Sequence, residues 1–593
     1  MTTDNQFPTP GSDSFTDVPG RLARAEAWLA QDPDPETRAE LSALLGRVRT
    51  GDVAASADLA DRFDTRLAFG TAGRRGGLGA GPNRMNRVLV AQAAAGLAAY
   101  LVEQAALSGR ATSSTAPSVV IGYDGRKNSD VFAHDSAEIM AGAGVDVTLL
   151  PRLLPTPVLA FSVRHLGTSA GVMVTASHNP PLDNGYKVYL GGQDNGAQII
   201  SPSDMQIAAH IAHIAETMTV AQLPRGQYAT AEESVIEAYI RAAVRVVSNG
   251  EISSKPGLSV APPTIVYTAM HGVGWETLSA VWRAAGFEQP AVVPEQVEPD
   301  AAFPTVVFPN PEEAGAMDLA FARAREVGAD LIIANDPDAD RFAVAIPDDT
   351  EPAGFRRLSG NDVGLMLGWR AARAAADAAG ESGAGGTLAC SIVSSPGLER
   401  IAHQYGLEFR ATLTGFKWIS RTPGLIFGFE EALGYLVNPD TVTDKDGISA
   451  SLAFTALATE LGAAGKTVAD HLDELTARFG AFASTQISLR VSELARIGEI
   501  MTRLRDAPPD AVAGIRVQQI DDFSQGFGGL PPTDMLRIVL ESNARIMVRP
   551  SGTEPKLKAY IDASEETGTV AQRRSAATAL VATLAAGLSA LLG

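Results

Sequence analysis

The sequence predicts a chain of about four α/β domains, and three observations support this class. Segments typical of buried strands alternate with segments typical of helices along most of the chain. The composition is 45% hydrophobic but only 6% aromatic, which suits helices packed on sheets. The length of 593 residues corresponds to about four domains at ~150 residues each.

The amino-terminal part precedes this alternation. Residues 1–17 are rich in Ser, Thr, Asp, Pro and Gly and are predicted to be disordered. Residues 19–63 carry leucines and alanines at helical spacing, with a break near Asp34. From Phe69 onward, the first unit is predicted to contain the strand Val119–Gly122, the helix Asp130–Ala143, the strand Val145–Leu149, the helix Thr156–His165 and the strand Gly171–Thr175.

Three further units follow, the second opening near Glu233, the third near Asn361 and the last near Ser484. Their predicted elements are the helix Glu233–Val247, the strand Thr264–Ala269, the helix Glu312–Val327, the strand Leu331–Ala334, the apolar runs Leu388–Val393 and Leu425–Phe429, the helix Val468–Phe482, the strand Thr485–Val491 and a long helix near Ala571–Leu592. Because an apolar strand repeatedly runs into a polar turn, the pattern suggests three similar α/β units.

The net charge and the single cysteine restrict the kinds of ligand and the cellular location that we expect for this protein. The chain has 48 basic and 68 acidic residues, a net charge of −20, which argues against a nucleic-acid or anionic-membrane surface. A small anionic ligand is not excluded, since a few local donors can hold it. Cys390 has no partner for an intrachain disulfide. There is no uninterrupted run of 18 apolar residues and no amino-terminal signal pattern, so we expect a soluble cytoplasmic protein.

Ser177, a candidate nucleophile, comes directly after the last predicted strand of the first unit. The β-branched and apolar run at 172–175 predicts a buried parallel strand, and it stops abruptly at Ala176. The carboxyl end of a strand is where α/β sheets bind ligands, and the following Asn179 and Pro180 are turn formers. Taken alone, the motif would be read as an ordinary polar loop.

A candidate metal loop follows the strand segment Leu331–Ala334. Three carboxylates, Asp336, Asp338 and Asp340, occupy alternate positions and could converge on one cation. Oxygen ligands of this kind select Mg²⁺ or Ca²⁺. The alternative is a solvated acidic turn, but three aspartates beside an apolar strand would repel one another without a cation.

Taken together, these motifs resemble those of the α-D-phosphohexomutase superfamily, which includes phosphoglucomutases and phosphomannomutases. The residues FEEALGY and His271 resemble most the subfamily that also contains phosphopentomutases. His271 is not assigned a catalytic role. The resemblance spans residues 69–556 in the family's order. Its motifs are FGTAGRRG at 69–76, GYDGR at 122–126, TASHNP at 175–180, FPNPEE at 308–313, DPDADR at 336–341, TGFK at 414–417, GFEEALGY at 428–435, KDG at 445–447 and RPSGTEPK at 549–556.

The resemblance implies three similar α/β mixed-sheet domains and a smaller C-terminal α+β domain around a central cleft. We expect a first domain at 18–228 with an amino-terminal helical extension and the phosphoserine loop. A second at 229–356 would carry the metal loop, a third at 357–483 the sugar-recognition loop, and a fourth at 484–593 the phosphate-binding loop. The amino-terminal 1–17 would be a disordered tail.

The resemblance also implies a reaction and a role for each motif. Ser177 would be a phosphoserine that exchanges its phosphoryl group with a sugar phosphate through a sugar 1,6-bisphosphate, with one Mg²⁺ bound by Ser177 and the three aspartates. A lysine near other cations can have its pKa lowered, so Lys187 and Lys445 are candidate proton carriers. The remaining candidates are Arg75 and Arg341 for catalysis, and Thr414, Gly415, Glu430, Arg549, Ser551, Gly552 and Thr553 for the substrate.

The sugar itself remains open at this stage. Glucose 1-phosphate and glucose 6-phosphate are the first expectation. Many family members have Ser two residues after the sugar-recognition glutamate, whereas this chain has Ala432, which leaves mannose and pentose phosphates as alternatives. A metal-dependent phosphatase and a non-catalytic phosphosugar-binding relative are more distant alternatives. The oligomeric state is not indicated by the sequence.

Overall fold

In a computed structural model, the described residues are 18–70, 73–107, 116–247, 262–380, 385–491, 494–542, 544–550 and 556–592. The predicted disordered tail at 1–17 and the predicted site residues Ser551, Gly552 and Thr553 lie outside them. The segment 19–63, predicted to be helical with one break, contains three helices: α1 (Val18–Gln31), α2 (Pro35–Arg49) and α3 (Val53–Phe63). The predicted break at Asp34 is the N-cap of α2, where its carboxylate accepts the N–H of Glu36 at 2.9 Å.

The first sheet has seven strands. Its elements are β1 (Arg74–Gly77), α4 (Arg87–Leu107), β2 (Ser118–Tyr123), α5 (Ser129–Gly142), β3 (Asp146–Leu149), α6 (Thr156–His165), β4 (Ala170–Val174), β5 (Asp183–Leu190), β6 (Ala197–Gln198), α7 (Ser203–Thr217) and β7 (Ala229–Thr230). The order is β1-β5-β4-β2-β3-β7, with β6 paired to β5. Strands β4, β2, β3 and β7 are parallel, whereas β5 runs antiparallel to both β4 and β1, so the sheet is mixed.

The second and third sheets repeat this plan. The second is built from α8 (Glu233–Val244), β8 (Ile265–Thr268), α9 (Gly274–Ala285), β9 (Ala291–Val292), α10 (Asp318–Val327), β10 (Leu331–Asn335), β11 (Phe342–Pro347) and β12 (Phe355–Arg357), in the order β12-β11-β10-β8-β9. The third is built from α11 (Gly360–Ala379), β13 (Thr387–Ser391), α12 (Gly397–Gln404), β14 (Glu408–Thr412), α13 (Phe416–Ile419), β15 (Leu425–Glu430), β16 (Gly434–Leu436), α14 (Gly447–Ala463) and α15 (Val468–Phe479), in the order β14-β13-β15-β16. One continuous hydrophobic core spans both sheets.

The fourth sheet is different, because its described strands are all antiparallel. Its elements are β17 (Ala481–Arg490), α16 (Leu494–Asp506), β18 (Ala511–Val512), β19 (Ile515–Asp522), β20 (Leu536–Leu540), β21 (Arg545–Pro550), β22 (Lys556–Glu565) and α17 (Val570–Leu592), in the strand order β17-β22-β21-β20-β19-β18. The fold is thus three mixed α/β sheets and a C-terminal α+β unit.

Several predicted elements have different bounds in the structure. The helix predicted over Glu233–Val247 ends at Val244, and the strand predicted over Thr485–Val491 begins at Ala481 and ends at Arg490. Two further helices also differ. The segment predicted as a helix from Glu312 is in turns as far as Met317, and α10 begins at Asp318. The Asn310 carboxamide accepts the N–H of Glu312 at 3.1 Å, and Gly315 has a φ of 82°, so local turn bonds replace the first helical turn. The helix predicted over Val468–Phe482 stops at Phe479, because Gly480 has a φ of 97° and β17 begins at the next residue.

Two of the described helices, α4 and α17, are long and apolar enough to cross a membrane by length and composition alone, and α14 and α15 would pass only as one span across a 91° bend. In α4, 72% of the most apolar stretch is buried inside the protein, where it packs against α5 and α7. In α17 the corresponding share is 28%, and the helix packs against β17 and β22. The apolar character of α4 is therefore explained by intramolecular packing.

Candidate active site

Three of the predicted functional loops are the turns of antiparallel hairpins. The serine loop joins β4 to β5, the aspartate loop joins β10 to β11, and the GFEEALGY loop joins β15 to β16. Each turn contains one non-glycine residue in the left-handed region, namely Ser177 (φ 51°), Ala339 (φ 52°) and Leu433 (φ 63°). Such residues cost energy and persist only where the surrounding contacts enforce them. The suggested repeat of the first three units is therefore present in the backbone of their hairpins.

Ser177 lies against the aspartate loop of the second sheet. Its side chain is 2% exposed, and its Oγ donates a hydrogen bond to Asp336 Oδ2 at 2.7 Å. The ring nitrogen Nδ1 of His178 is 3.2 Å from the same Oγ. Burial, with the nearby charges of Arg341 and Arg75, holds the pKa of His178 well below its usual range, so this ring is neutral. The structure thus joins the predicted nucleophile to the predicted metal loop.

The three aspartates form a compact, fully buried cluster. One oxygen from each of Asp336, Asp338 and Asp340 lies within 4.8 Å of the other two. Among the described residues, Asp338 Oδ1 and Asp340 Oδ1 have no hydrogen-bond partner. Burial, together with the two neighbouring carboxylates, raises the pKa of Asp336 to about 8. Buried carboxylate oxygens without partners fit a hard divalent cation, so the cluster could hold a metal ion.

Both candidate lysines point into this cluster. Lys187 Nζ donates to Asp338 Oδ2 at 2.7 Å and to Asp340 Oδ2 at 2.9 Å, and Lys445 Nζ lies 2.7 Å from Asp340 Oδ2. The expectation of lowered lysine pKa values is wrong for this arrangement. Burial alone lowers the pKa of Lys187 and of Lys445, but the adjacent carboxylates outweigh it and both pKa values lie above the usual range. Both side chains are therefore charged.

The two candidate arginines approach the site from different elements, a strand and the aspartate loop. Arg75, on β1, donates from Nη1 to the Asn179 carboxamide oxygen at 2.8 Å, which places it beside the serine loop. Arg341 donates its backbone N–H to Asp336 Oδ1 at 3.0 Å, and its Nε is 3.8 Å from Asp336 Oδ2. Arg341 also forms a β-bridge with Gly434, so the aspartate hairpin is joined to the sugar-recognition hairpin.

The predicted sugar-recognition residues of the third sheet also lie together. The N–H of Gly415 donates to Glu430 Oε2 at 3.0 Å, which links the loop containing Thr414 to the end of β15. Burial, with the neighbouring charge of Glu431, raises the pKa of Glu430. Glu431 accepts hydrogen bonds from the hydroxyls of Ser391 at 3.0 Å and Ser394 at 2.9 Å, which explains the second glutamate of the motif as a structural group.

Arg549, at the end of β21 in the fourth sheet, reaches the third sheet. Its Nη1 donates to Thr414 Oγ1 at 2.8 Å, and its guanidinium carbon lies 5.9 Å from the centre of the Tyr560 ring. Its Nε is buried and has no partner among the described residues. An arginine held in this way retains donor capacity for an anionic ligand.

Sequence reasoning missed several residues that shape the site. Thr156, at the start of α6, donates its hydroxyl to Asp338 Oδ2 at 2.7 Å and its N–H to the Asp338 carbonyl at 2.9 Å. Asp444 accepts hydrogen bonds from Tyr189 and Gln198 of the first sheet, each at 2.9 Å, and so positions Lys445. The two residues of each of these contacts between sheets lie far apart in the chain, so no local pattern predicts them. The Thr-Pro pair at 156–157 signals only the start of α6.

Comparison with known proteins identifies the family to which the chain belongs. The four domains described as "Phosphoglucomutase/phosphomannomutase, alpha/beta/alpha" domains I, II and III and the C-terminal domain match residues 66–218, 237–349, 360–479 and 489–578. The chain belongs to the phosphoglucomutase/phosphomannomutase family. It is accordingly a phospho-sugar mutase, an isomerase of the intramolecular phosphotransferase type.

The relatives of this mutase are named for different sugar phosphates. It is 53% identical to the "Probable phosphomannomutase" of Haemophilus influenzae over 81% of this chain and 93% of that protein. It is 35% identical to the phosphoribomutase of Saccharomyces cerevisiae over 90% of this chain and 91% of that protein. It is 33% identical to the phosphoglucomutase of Staphylococcus haemolyticus over 84% of this chain and 90% of that protein.

A solved phosphoglucomutase/phosphomannomutase family protein from Burkholderia thailandensis has the same fold. Its TM-score is 0.62 at 19% identity, and the match covers 89% of this chain and 97% of that one. At this identity, the likeness bears on the fold of the mutase. It agrees with the predicted arrangement of three α/β domains and a C-terminal domain.

Proposed function

We propose that this mutase moves a phosphoryl group between the 1- and 6-positions of a hexose phosphate, with glucose 1-phosphate and glucose 6-phosphate as the first substrate pair. Ser177 carries the phosphoryl group between turnovers, and a sugar 1,6-bisphosphate is the intermediate. The observation that carries the proposal is the contact between Ser177 Oγ and Asp336 Oδ2 at 2.7 Å, because it joins a nucleophile and a carboxylate cluster from separate domains.

In each half-reaction, the bond between phosphorus and Ser177 Oγ breaks and a bond from phosphorus to a sugar oxygen forms. The sugar hydroxyl gives up its proton, and the serine oxygen regains one when it is released. Lys187 and Lys445 are charged and converge on Asp340. In this proposal one of them donates a proton to the departing serine oxygen, and the neutral amine that results accepts the proton of the sugar hydroxyl, so the lysine ends the half-reaction charged again.

The cluster of Asp336, Asp338 and Asp340, with the Ser177 oxygen, holds one Mg²⁺ in this proposal. Two carboxylate oxygens left without partners among the described residues support a cation there. Bound Mg²⁺ would supply charge neutralisation of the transferring phosphoryl group. Thr156 and Lys187 orient Asp338 for this role through its Oδ2.

The substrate cleft in this proposal is formed by loops from all four domains. Glu430 and the Thr414–Gly415 loop receive the sugar hydroxyls, and Arg549 receives the phosphate that is not being transferred. Arg341, whose Nε is 3.8 Å from Asp336 Oδ2, would offer its guanidinium to the transferring phosphoryl group.

A pentose or mannose phosphate is the second candidate. The presence of Ala432 in place of a serine removes one hydroxyl from the sugar-recognition hairpin, which would matter less for a smaller sugar. A panel of glucose, mannose, glucosamine, ribose and deoxyribose 1-phosphates, with a trace of the matching bisphosphate, ranks these substrates by kcat/KM. We expect glucose 1-phosphate to rank first. A higher kcat/KM for ribose 1-phosphate would replace the hexose proposal with the pentose one, and release of free phosphate in place of isomerised sugar would indicate a phosphatase.

A further inference from the structure

The backbone of the loop that carries Ser177 is hydrogen-bonded to one buried guanidinium. Arg126, 3% exposed, donates from Nη1 to the carbonyls of Pro180 at 2.8 Å and Asp183 at 3.1 Å. Its Nη2 donates to the carbonyl of Asn179 at 2.6 Å and to that of Ser177 itself. Four carbonyls of the loop 177–183 therefore converge on the two terminal nitrogens of one side chain.

This convergence acts on a strained backbone. Ser177 has a φ of 51°, a left-handed conformation that is unfavourable for a non-glycine residue. Its N–H donates to Thr175 Oγ1 at 2.8 Å, and its carbonyl is taken by Arg126, so both backbone groups of the residue are fixed. With the backbone fixed on both sides, the side chain is left directed at Asp336 Oδ2.

Arg126 is itself held by a second set of contacts. Its backbone N–H donates to Asp124 Oδ1 at 3.1 Å, and its Nε lies 3.6 Å from Asp124 Oδ2, an ion-pair distance. The hydroxyl of Ser129 donates a hydrogen bond to the same Asp124 Oδ1 at 2.7 Å and accepts one from Asn184 Nδ2 at 3.0 Å. The network thus returns to β5, the strand that follows the serine loop.

Arg126 also contacts the domain that carries the aspartates. Its guanidinium carbon lies 5.0 Å from the centre of the Phe303 ring, and Phe303 belongs to the segment between β9 and α10 of the second sheet. A lysine could not replace these contacts, because a single ammonium nitrogen cannot reach four carbonyls spread along a loop in the way that a planar fork can.

We propose that Arg126 is a positioning residue for phosphoryl transfer: it sets the place of Ser177 Oγ relative to the aspartate cluster without touching the substrate. The inference rests on the proposed function, since it assumes that Ser177 accepts and donates the phosphoryl group. A displacement of the reacting oxygen by about 1 Å is enough to lower the rate by about 10²-fold. The effect should therefore appear in kcat and leave sugar-phosphate binding unchanged.

The test compares Arg126→Lys with the matched control Arg87→Lys. Arg87 is another paired arginine of the first domain, bound to Asp135 at 2.6 and 2.9 Å, and it makes no described contact with the serine loop. We expect Arg126→Lys to lower kcat by about 10²-fold with KM within about threefold of wild type. We expect Arg87→Lys to keep the wild-type kcat. Equal kcat values for Arg126→Lys and wild type would overturn the proposal.

A second readout separates the positioning role of Arg126 from the proposed function. Purified dephosphorylated protein is incubated with glucose 1,6-bisphosphate, and the rate of phosphate uptake at Ser177 is followed by intact mass. Slow uptake by Arg126→Lys at normal melting temperature supports the positioning role, whereas normal uptake contradicts it. Failure of wild type itself to take up phosphate contradicts the proposed function instead.

A milder variant covers the case in which Arg126→Lys does not fold. Asp124→Asn keeps the guanidinium fork but weakens the ion pair that orients it, so we expect a smaller loss of kcat, about tenfold, again at unchanged KM. If Asp124→Asn raises KM and leaves kcat intact, or changes neither, Arg126 does not act through the serine loop.

Discussion

Arg549 of the fourth domain donates a hydrogen bond to Thr414 of the third domain at 2.8 Å, so the two domains meet directly beside the sugar-recognition loop. The contact uses only one of the guanidinium's donors, and the buried Nε has no described partner. In the proposed function, the fourth domain would close the cleft over a substrate phosphate and would exclude the water that could hydrolyse a phosphoserine.

The first prediction concerns this contact. Arg549→Ala should raise KM for the sugar phosphate more than about tenfold, because a charge-assisted hydrogen bond worth about 1.5–3 kcal/mol is lost. Steady-state kinetics measure the effect. The control is Arg516→Ala, which removes a side chain that is 78% exposed in the same domain and should leave KM unchanged. An Arg549→Ala enzyme with the wild-type KM would contradict the proposed phosphate clamp.

The second prediction concerns the carboxylate cluster. Asp338→Asn keeps the size of a fully buried side chain but removes one negative charge, so Mg²⁺ affinity should fall at least about tenfold. Titration of activity with Mg²⁺ after chelation by EDTA measures it. Asp349→Asn changes an exposed aspartate of the same domain and serves as the control. An Asp338→Asn enzyme with the wild-type rate and Mg²⁺ dependence would remove the metal from this site.

The third prediction concerns the lysines. Replacement of Lys187 or Lys445 by Met should lower kcat by about 10²-fold, the usual size of a general acid–base contribution, while Ser177 remains phosphorylated. Rapid-quench kinetics and intact mass report the two quantities separately. Lys466→Met, at an exposed ion pair with Glu474, is the matched control. If both buried variants turn over at the wild-type rate, lysines have no part in proton transfer.

The fourth prediction concerns substrate choice. Ala432→Ser adds one hydroxyl to the sugar-recognition hairpin, and a single new hydrogen bond of about 1 kcal/mol should raise kcat/KM for glucose 1-phosphate about fivefold relative to ribose 1-phosphate. Competition between the two sugars in one reaction measures the ratio directly. An unchanged ratio would show that position 432 does not face the sugar hydroxyls.

Much of the site could be predicted from the sequence, because its loops are local. Ser177 and Asp336 each follow a short apolar strand, and the carboxyl end of such a strand is where an α/β sheet binds its ligands. The two strands belong to different sheets, so this rule predicts each loop as a ligand site but not the contact between them. Alternation of apolar and polar segments predicted the elements around them. Local turn chemistry at Asn310 and Gly315, on the other hand, overrode the helical pattern that begins at Glu312.

The remaining features depend on contacts between distant residues. The pairing of Thr156 with Asp338 spans 182 positions in the chain, so no local pattern could reveal it. The raised pKa values of Lys187 and Lys445 depend on how closely the carboxylates approach them, and the direction is opposite to the one expected from neighbouring cations alone. The support of the serine loop by Arg126 likewise appears only when the backbone carbonyls are placed.

The most direct test of this account is the phosphorylation state of Ser177. The purified protein, treated with glucose 1,6-bisphosphate, should gain the mass of one phosphoryl group on the peptide that contains Ser177, and the group should transfer to added sugar monophosphate. Ser177→Ala should fold normally, since a loop Ser→Ala change is usually small in stability, but should neither take up phosphate nor isomerise any sugar phosphate. Full mutase activity in Ser177→Ala would contradict the central claim.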